Sequence, residues 1–310
     1  MAEKLLDIFP EERAVAVLER IVPGSSLAKI ELLPGSFSNH THLVEASLPN
    51  GAVYKIVVRR YKVFGEYDRG EKANREFKTF ELLNRHKVPA PEPLLLDVSG
   101  DVLGSPGIVA EFVEGHLKMD VPSDPMEWSR KLARTLAKIH SIPCSENEQS
   151  FLLNGNEQAS WFLNYDSAPH YMQEYPGGAD LWSEMRRRSS KLVTDGPSLL
   201  HIDYWSGNIL WLENEISAVL DWEEASYGDP AVDVGYALMN IVLMDAPDAA
   251  DEFLSVYEAE MGRQIKNLVF WELAASVRPM TDPVDWNVHE TGSNKDVLLE
   301  FIENAKRRAE

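Results

Sequence analysis

A single cysteine, Cys144, stands among the 310 residues, which excludes an intramolecular disulfide and any cysteine-cluster zinc site. No run of about 18 uncharged apolar residues occurs, so no membrane span is expected. The start, MAEKLLDIFPEERAVAVLER, is acidic and amphipathic and lacks the basic leader and apolar block of a secretory signal. Together these absences make a reducing cytoplasm the expected compartment. Positive charge is also short: the formal net charge is −20, which argues against a nucleic-acid partner, whose phosphates are bound by Lys and Arg. Lys and Arg are missing altogether from residues 195 to 260, which hold 15 Asp and Glu, whereas residues 55 to 88 carry ten Lys and Arg against five acids. The imbalance fits two readings: solvated faces, or an anion-handling first part and a cation-handling second part.

What is present is ordinary for a globular chain, with 44% apolar and 26% charged residues. The length suits one or two domains. Residues 11 to 22 read as an opening helix and residues 29 to 61 as strands, with Asn50-Gly51 as a hairpin signal between alternating runs. Residues 70 to 87 read as a helix with Ala73, Phe77, Phe80 and Leu83 on one face. The prolines of VPAPEPLLLD end it. A buried strand, SPGIVAEFVEGH, then runs into Glu114-Gly115. Residues 127 to 140 place Trp128, Leu132, Leu136 and Ile139 on one helical face after the capping-type Ser123 and Asp124. Residues 151 to 185 mix aromatic and turn residues without a clear period. Helices are expected near 231 to 244, 248 to 262, 266 to 277 and 294 to 309.

Two apolar stretches carry the polar residues that a core rarely accepts unpaired. LLHIDYWSGNILW, residues 199 to 211, delivers His201, Asp203 and Asn208, and SAVLDWEEASYGDPAVDVGYA, residues 217 to 237, delivers Asp221. A hard cation such as Mg²⁺ takes oxygen ligands, commonly one or two carboxylates, with substrate phosphates completing its shell. A carboxylate left off the metal can accept the proton of an attacking hydroxyl. Asp203, Asn208 and Asp221 are therefore the residues that a magnesium phosphate site needs.

HIDYWSGN matches the H-x-D-x-x-x-x-N loop of the kinase-like fold, and VLDWEEASYGDPAVDVGYA resembles the metal-binding segment of the aminoglycoside phosphotransferase family. That resemblance implies an α+β, two-lobed protein-kinase-like fold: a strand-rich nucleotide lobe over residues 1 to 110, a hinge at 111 to 115, and a mainly helical catalytic and substrate lobe over 116 to 310. It implies Asp203 as the base, Asn208 and Asp221 as Mg²⁺ ligands, and His201, Asp229 and Asp233 as braces. LPGSFSN is similar to the family's phosphate loop, where Ser36, Phe37, Ser38 and Asn39 would offer backbone donors. VVRR and NREF resemble the segments of the phosphate-gripping cation and its glutamate, which points to Arg59 with Glu76 and leaves Lys55, on the same strand face, as the rival cation. Backbone groups near Glu111 and Val113 would meet the purine of ATP or GTP.

The lysine that protein kinases place two residues after the base is replaced by Trp205, and DWE stands where they have Asp-Phe-Gly; both departures favour the small-molecule branch. The implied reaction moves the γ-phosphate of ATP or GTP to a hydroxyl of a small molecule. An amine-bearing acceptor is favoured, for which Trp161, Tyr165, Tyr171, Tyr175 and Trp182, with Asp166, Glu174 and Asp180, are candidate contacts. Two other readings are open at this point: a kinase-fold nucleotide-binding module whose catalysis has decayed, and an iron(II) facial triad of His201, Asp203 and His289.

Overall fold

The computed structural model describes residues 8–33, 39–62, 68–193 and 196–308, so Ser36, Phe37 and Ser38 lie outside the described residues. The chain divides into two compact units, Met1–Gly115 with Ser217–Glu224, and His116–Ile216 with Ala225–Glu310.

In the first unit, strands β1 (Ser26–Leu32), β2 (Asn39–Ser47), β3 (Val53–Tyr61), β4 (Pro93–Asp97) and β5 (Gly107–Glu111) form an antiparallel sheet in the order β1-β2-β3-β5-β4. The Asn50-Gly51 signal does make the β2–β3 hairpin, but through a three-residue loop. Proline at 49 supplies the fixed φ that the second position of a type I turn wants, and Gly51, at φ 83°, takes the left-handed position that follows. The Gly51 N–H donates to Leu48 O at 2.9 Å and the Leu48 N–H to Ala52 O at 2.8 Å.

Helix α1 (Glu11–Ile21) buries Ala14, Val17 and Leu18 in one cluster with Phe9, Val44, Ala46, Ile56 and Val58. Of these, Val17, Leu18, Phe9, Val44, Ile56 and Val58 each contribute about 1.5–3 kcal/mol on full burial. Because strand side chains alternate, Arg59 and Tyr61 point to the other face of β3, where helix α2 (Arg69–Arg85) brings the buried Glu76. Asp68 starts α2 by accepting the Gly70 and Glu71 N–H groups at 2.7 and 3.1 Å. Gly107 on β5 faces Arg59 so closely that a Cβ there would lie 2.3 Å from the Arg59 carbonyl oxygen. Gly107→Ala should therefore force β3 and β5 apart and cost about 1–3 kcal/mol; an unchanged urea midpoint would show that the strands can part freely.

The second unit is mainly helical. It holds strand β6 (His116–Leu117), helix α3 (Pro125–His140), the short helix α4 (Glu146–Gln149), strand β7 (Leu153–Asn154), helices α5 (Gly155–Ala159), α6 (His170–Glu174) and α7 (Gly178–Ser189), and strands β8 (Ser198–Leu200) and β9 (Ile209–Leu212). The chain leaves this unit inside strand β10 (Glu215–Val219) and returns at strand β11 (Ser226–Gly228), which runs antiparallel to β8 and parallel to β7. Helices α8 (Ala231–Leu243), α9 (Pro247–Met261), α10 (Leu268–Ala275), α11 (Arg278–Thr281) and α12 (Lys295–Arg308) follow. The expected face of α3, Trp128, Leu132, Leu136 and Ile139, is buried, and Asp124 caps the helix by accepting the Glu127 N–H at 3.0 Å. Helix α8 is buried at every position from Ala231 to Ile241, as an all-round apolar helix must be. No helix among the described residues is long and apolar enough to cross a membrane.

One segment departs from the sequence-based division. Ser217–Glu224, expected with the second part of the chain, groups with the first unit. Its anchors are local: Val219 N–H donates to Pro89 O at 2.9 Å, Trp222 N–H to Glu76 Oε1 at 3.1 Å, and Glu223 pairs with the α2 residue Lys72 at 3.2 Å.

Candidate active site

The candidate residues divide between the units. In the second, β8 ends at Leu200 and the chain turns through His201, Ile202 and Asp203. Ile202 sits at φ 73°, a conformation that costs a β-branched residue free energy and persists only where the surroundings impose it. The imposing group is Asp233 at the start of α8, whose carboxylate accepts the His201 and Ile202 N–H groups, both at 2.7 Å. His140 of α3 adds its Nε2 at 3.1 Å, and its Nδ1 meets the Tyr257 hydroxyl at 2.7 Å. Burial alone would raise Asp233, but the hydrogen bond and charge of His140, with His201, hold it below its ordinary value of 3.8.

A depressed folded-state pKa gives stability that is present above the unfolded value, near pH 3.8, and lost as pH falls through the lower folded value. Asp233→Ala should cost about 3–5 kcal/mol at neutral pH, as breaking a buried charged network does. It should also flatten the loss of stability below that pH. Urea unfolding at neutral and acid pH measures both, and a variant with wild-type acid dependence would remove Asp233 from this account.

Asp203 emerges from this turn with its side chain 34% exposed. Its Oδ2 accepts Asn208 Nδ2 at 2.8 Å, and the same Nδ2 also reaches the Asp203 carbonyl at 2.9 Å. Its Oδ1 accepts the Tyr236 hydroxyl at 2.6 Å and Arg278 Nη1 at 3.2 Å. His201 does not face outward as a reacting group. It is fully buried, its Nδ1 accepts the Asp203 N–H at 3.2 Å, and its ring packs edge-on against Tyr204. Asp229 is held among Ala231 N, Asn267 Nδ2 and Trp271 Nε1 at 3.0, 2.5 and 3.0 Å.

In the first unit Arg59 lies among three acids. Its Nη2 pairs with Asp221 and stands 3.4 Å from Glu223 Oε2, while its Nε is 3.3 Å from Glu76 Oε2. Burial opposes its charge, but Asp221, Glu76 and Glu223 outweigh that cost and raise Arg59 well above its ordinary value. Glu76 also accepts the Tyr61 hydroxyl and the Trp222 N–H. Burial raises Glu76 to about 7, against the lowering by Arg59. Lys55, the rival cation, is directed elsewhere: it pairs with Glu114 at 3.0 Å and lies 5.0 Å from the centre of the Phe112 ring.

Asp221 is at φ 65°, a left-handed conformation that a short polar side chain tolerates. Asn39, expected to offer a backbone donor to phosphates, opens β2 opposite Tyr61, and its buried side chain donates to Glu223 at 2.7 Å. The Glu111 N–H is committed to Glu92 O at 2.8 Å, so what Glu111 can offer a purine is its carbonyl. Val113 follows β5 in the same unit, partly exposed.

The expected metal ligands are an amide and a carboxylate. Asn208 spends its NH₂ on Asp203, which leaves its carbonyl oxygen as the donor for a cation. Asp221 is one-third exposed and carries a carboxylate. Each thus presents oxygen, the donor type that a hard cation takes. Among the described residues no three His, Cys, Asp or Glu side chains form a metal-holding group, so the facial triad of His201, Asp203 and His289 is not assembled.

Trp182 Nε1 donates to Phe162 O at 3.0 Å and Tyr175, buried, donates its hydroxyl to Val288 O at 3.2 Å. Tyr165 is exposed. Sequence reasoning missed Tyr236, Arg278, Glu223 and His140. Tyr236 lies within a segment singled out for its acids, and Arg278 is the one arginine between residues 264 and 294, yet no local spacing links either to Asp203.

A sheet with a buried cation and helical glutamate, followed by a helical unit carrying an Asp-x-x-x-x-Asn turn, defines a kinase-like fold. The chain belongs to the phosphotransferase enzyme family, whose model matches residues 29–265. Similar solved structures carry the same fold. Macrolide 2'-phosphotransferase MphH from Brachybacterium faecium is 17% identical with a TM-score of 0.62, covering 97% of this chain and 98% of that one. A type I macrolide 2'-phosphotransferase is 16% identical with a TM-score of 0.63, over 99% and 96%. An aminoglycoside phosphotransferase in complex with GDP and kanamycin is 17% identical with a TM-score of 0.61, over 95% and 97%. Among curated proteins, human acyl-CoA dehydrogenase family member 11 is 28% identical over 180 residues, which is 53% of this chain and 22% of that protein. Mouse acyl-CoA dehydrogenase family member 10 is 27% identical over 180 residues, 53% and 16%. The match thus spans about a fifth of the length of these curated relatives.

Proposed function

We propose that the protein transfers the γ-phosphate of ATP or GTP to a hydroxyl of a small molecule, with Mg²⁺ on the nucleotide. The observation that carries this reading is the environment of Asp203: a partly exposed carboxylate fixed by three donors on a turn that Asp233 braces. In the proposed reaction the acceptor oxygen forms a bond to the γ-phosphorus as the bond from that phosphorus to the β–γ bridging oxygen breaks. The bond's electron pair leaves with the nucleoside diphosphate, and the hydroxyl proton passes to Asp203. Arg59, oriented by Glu76, would grip the α- and β-phosphates; Asn208 and Asp221 would hold Mg²⁺, which when bound neutralises phosphate charge. The main chain at Glu111 and Val113 would meet the purine, and the backbone of Ser36, Phe37, Ser38 and Asn39 would supply the phosphate-loop donors. Positioning and charge neutralisation supply most of the catalysis in such a transfer.

For the acceptor, the acid-rich stretch from 195 to 260 supports an amine-bearing alcohol such as an aminoglycoside. A second reading, a hydroxyl on an acyl thioester, draws support from the curated relatives, which are acyl-CoA dehydrogenase family members. A panel of aminoglycosides, macrolides, amino alcohols, sugars and hydroxyacyl thioesters, each with ATP and with GTP, tests both. Phosphorylated product from a member of either class supports transfer. Tight Mg²⁺-nucleotide binding without transfer to any member would favour the decayed binding module.

A further inference from the structure

We propose that Tyr236 and Arg278 are positioning residues that clamp one oxygen of Asp203 so that the other is the proton acceptor. This rests on the reading of Asp203 as the base. A carboxylate offers about four acceptor positions on its two oxygens. Oδ1 has two filled, by the Tyr236 hydroxyl at 2.6 Å and Arg278 Nη1 at 3.2 Å, while Oδ2 has one filled, by Asn208 at 2.8 Å. The position left for an incoming hydroxyl is therefore on Oδ2. There the proton of the acceptor arrives as its oxygen bonds to the γ-phosphorus and the nucleoside diphosphate departs with the broken bond's electron pair.

The two clamp residues support each other. The Arg278 guanidinium carbon lies 4.5 Å from the centre of the Tyr236 ring, a cation over an aromatic face. Tyr236 is buried, and burial with the charge of Asp203 raises its hydroxyl well above the ordinary value, so it stays a donor. It also stands one turn after Asp233 on α8, so side chains three apart share a face. Asp233 holds the loop's main-chain amides while Tyr236 holds its carboxylate. Arg278 brings a positive charge to the loop from 75 residues downstream. Trp205, two residues after Asp203, supplies none.

The test uses the full chain with Mg²⁺-ATP and water as acceptor, so that it needs no identified substrate. Arg278→Ala should lower kcat about ten- to a hundredfold, the factor a lost charge-assisted hydrogen bond carries, with KM for the nucleotide unchanged. Added guanidinium at millimolar concentration should restore part of that loss, and Arg278→Lys should retain more activity than Arg278→Ala. Tyr236→Phe, which removes a single oxygen, should also lower kcat at constant KM and keeps the test open if Arg278→Ala does not fold. Unchanged kcat in both Arg278→Ala and Tyr236→Phe, or a loss in Arg278→Ala that neither guanidinium nor lysine relieves, overturns the clamp. Asp203→Asn run in parallel separates the two claims: full turnover there removes the base itself, whereas its loss beside normal clamp variants removes only the clamp.

Discussion

Asp203→Asn should reduce kcat by about 10²–10⁴, the contribution of a positioned general base, while leaving nucleotide affinity at saturating Mg²⁺ at its wild-type value. The new amide can keep its oxygen toward the Tyr236 and Arg278 donors, which hold Oδ1 in the wild type. Its NH₂ then replaces Oδ2 and faces the NH₂ of Asn208, two donors opposed where one bond of 2.8 Å existed. If Asn208 turns its amide to relieve this, the carbonyl proposed for Mg²⁺ is withdrawn. A fall in kcat with unchanged nucleotide affinity at saturating Mg²⁺, measured by calorimetry beside turnover, is the expected signature. Near-normal turnover would remove Asp203 from the role of base.

The second large effect belongs to Asp221. Asp221→Asn keeps a side chain suited to the left-handed backbone at φ 65° but removes the charge that faces Arg59 and the proposed cation. Nucleotide affinity at limiting Mg²⁺ should fall at least about tenfold, the size of one lost metal–carboxylate contact in a site of few protein ligands. The loss should shrink as Mg²⁺ is raised. Asp221→Ala should add a cost of about 1–2 kcal/mol in stability, because alanine resists that backbone conformation. Nucleotide affinity in Asp221→Asn that does not depend on Mg²⁺ concentration would argue that Asp221 serves Arg59 alone.

What the sequence disclosed were features written into local spacing. The hairpin around Asn50-Gly51, the apolar face of α3 and the five-residue step from Asp203 to Asn208 each concern neighbours along the chain, and each is visible in the structure. The choice of Arg59 over Lys55 was open from strand parity, since both share a face. Neighbouring groups separate them: Lys55 reaches Glu114, and Arg59 reaches Glu76. Contacts between distant residues stayed hidden. Tyr236 and Arg278 approach Asp203 across 33 and 75 positions, and Glu223 joins Asn39 across 184; no periodicity reports such a meeting. The aromatic residues of 161 to 182 are candidates by composition alone; what it does not disclose is that Tyr175 and Trp182 donate to the Val288 and Phe162 carbonyls.

The most direct test of the account follows the oxygen atoms. With the acceptor hydroxyl labelled with ¹⁸O and Mg²⁺-ATP unlabelled, direct attack predicts that the label is retained as the bridging oxygen of the phosphoester in the wild-type product, with product from Asp203→Asn formed about 10²–10⁴ times more slowly. Loss of the label from the ester, or label-retaining product formed as fast by Asp203→Asn, would contradict transfer to the acceptor oxygen with Asp203 as its base.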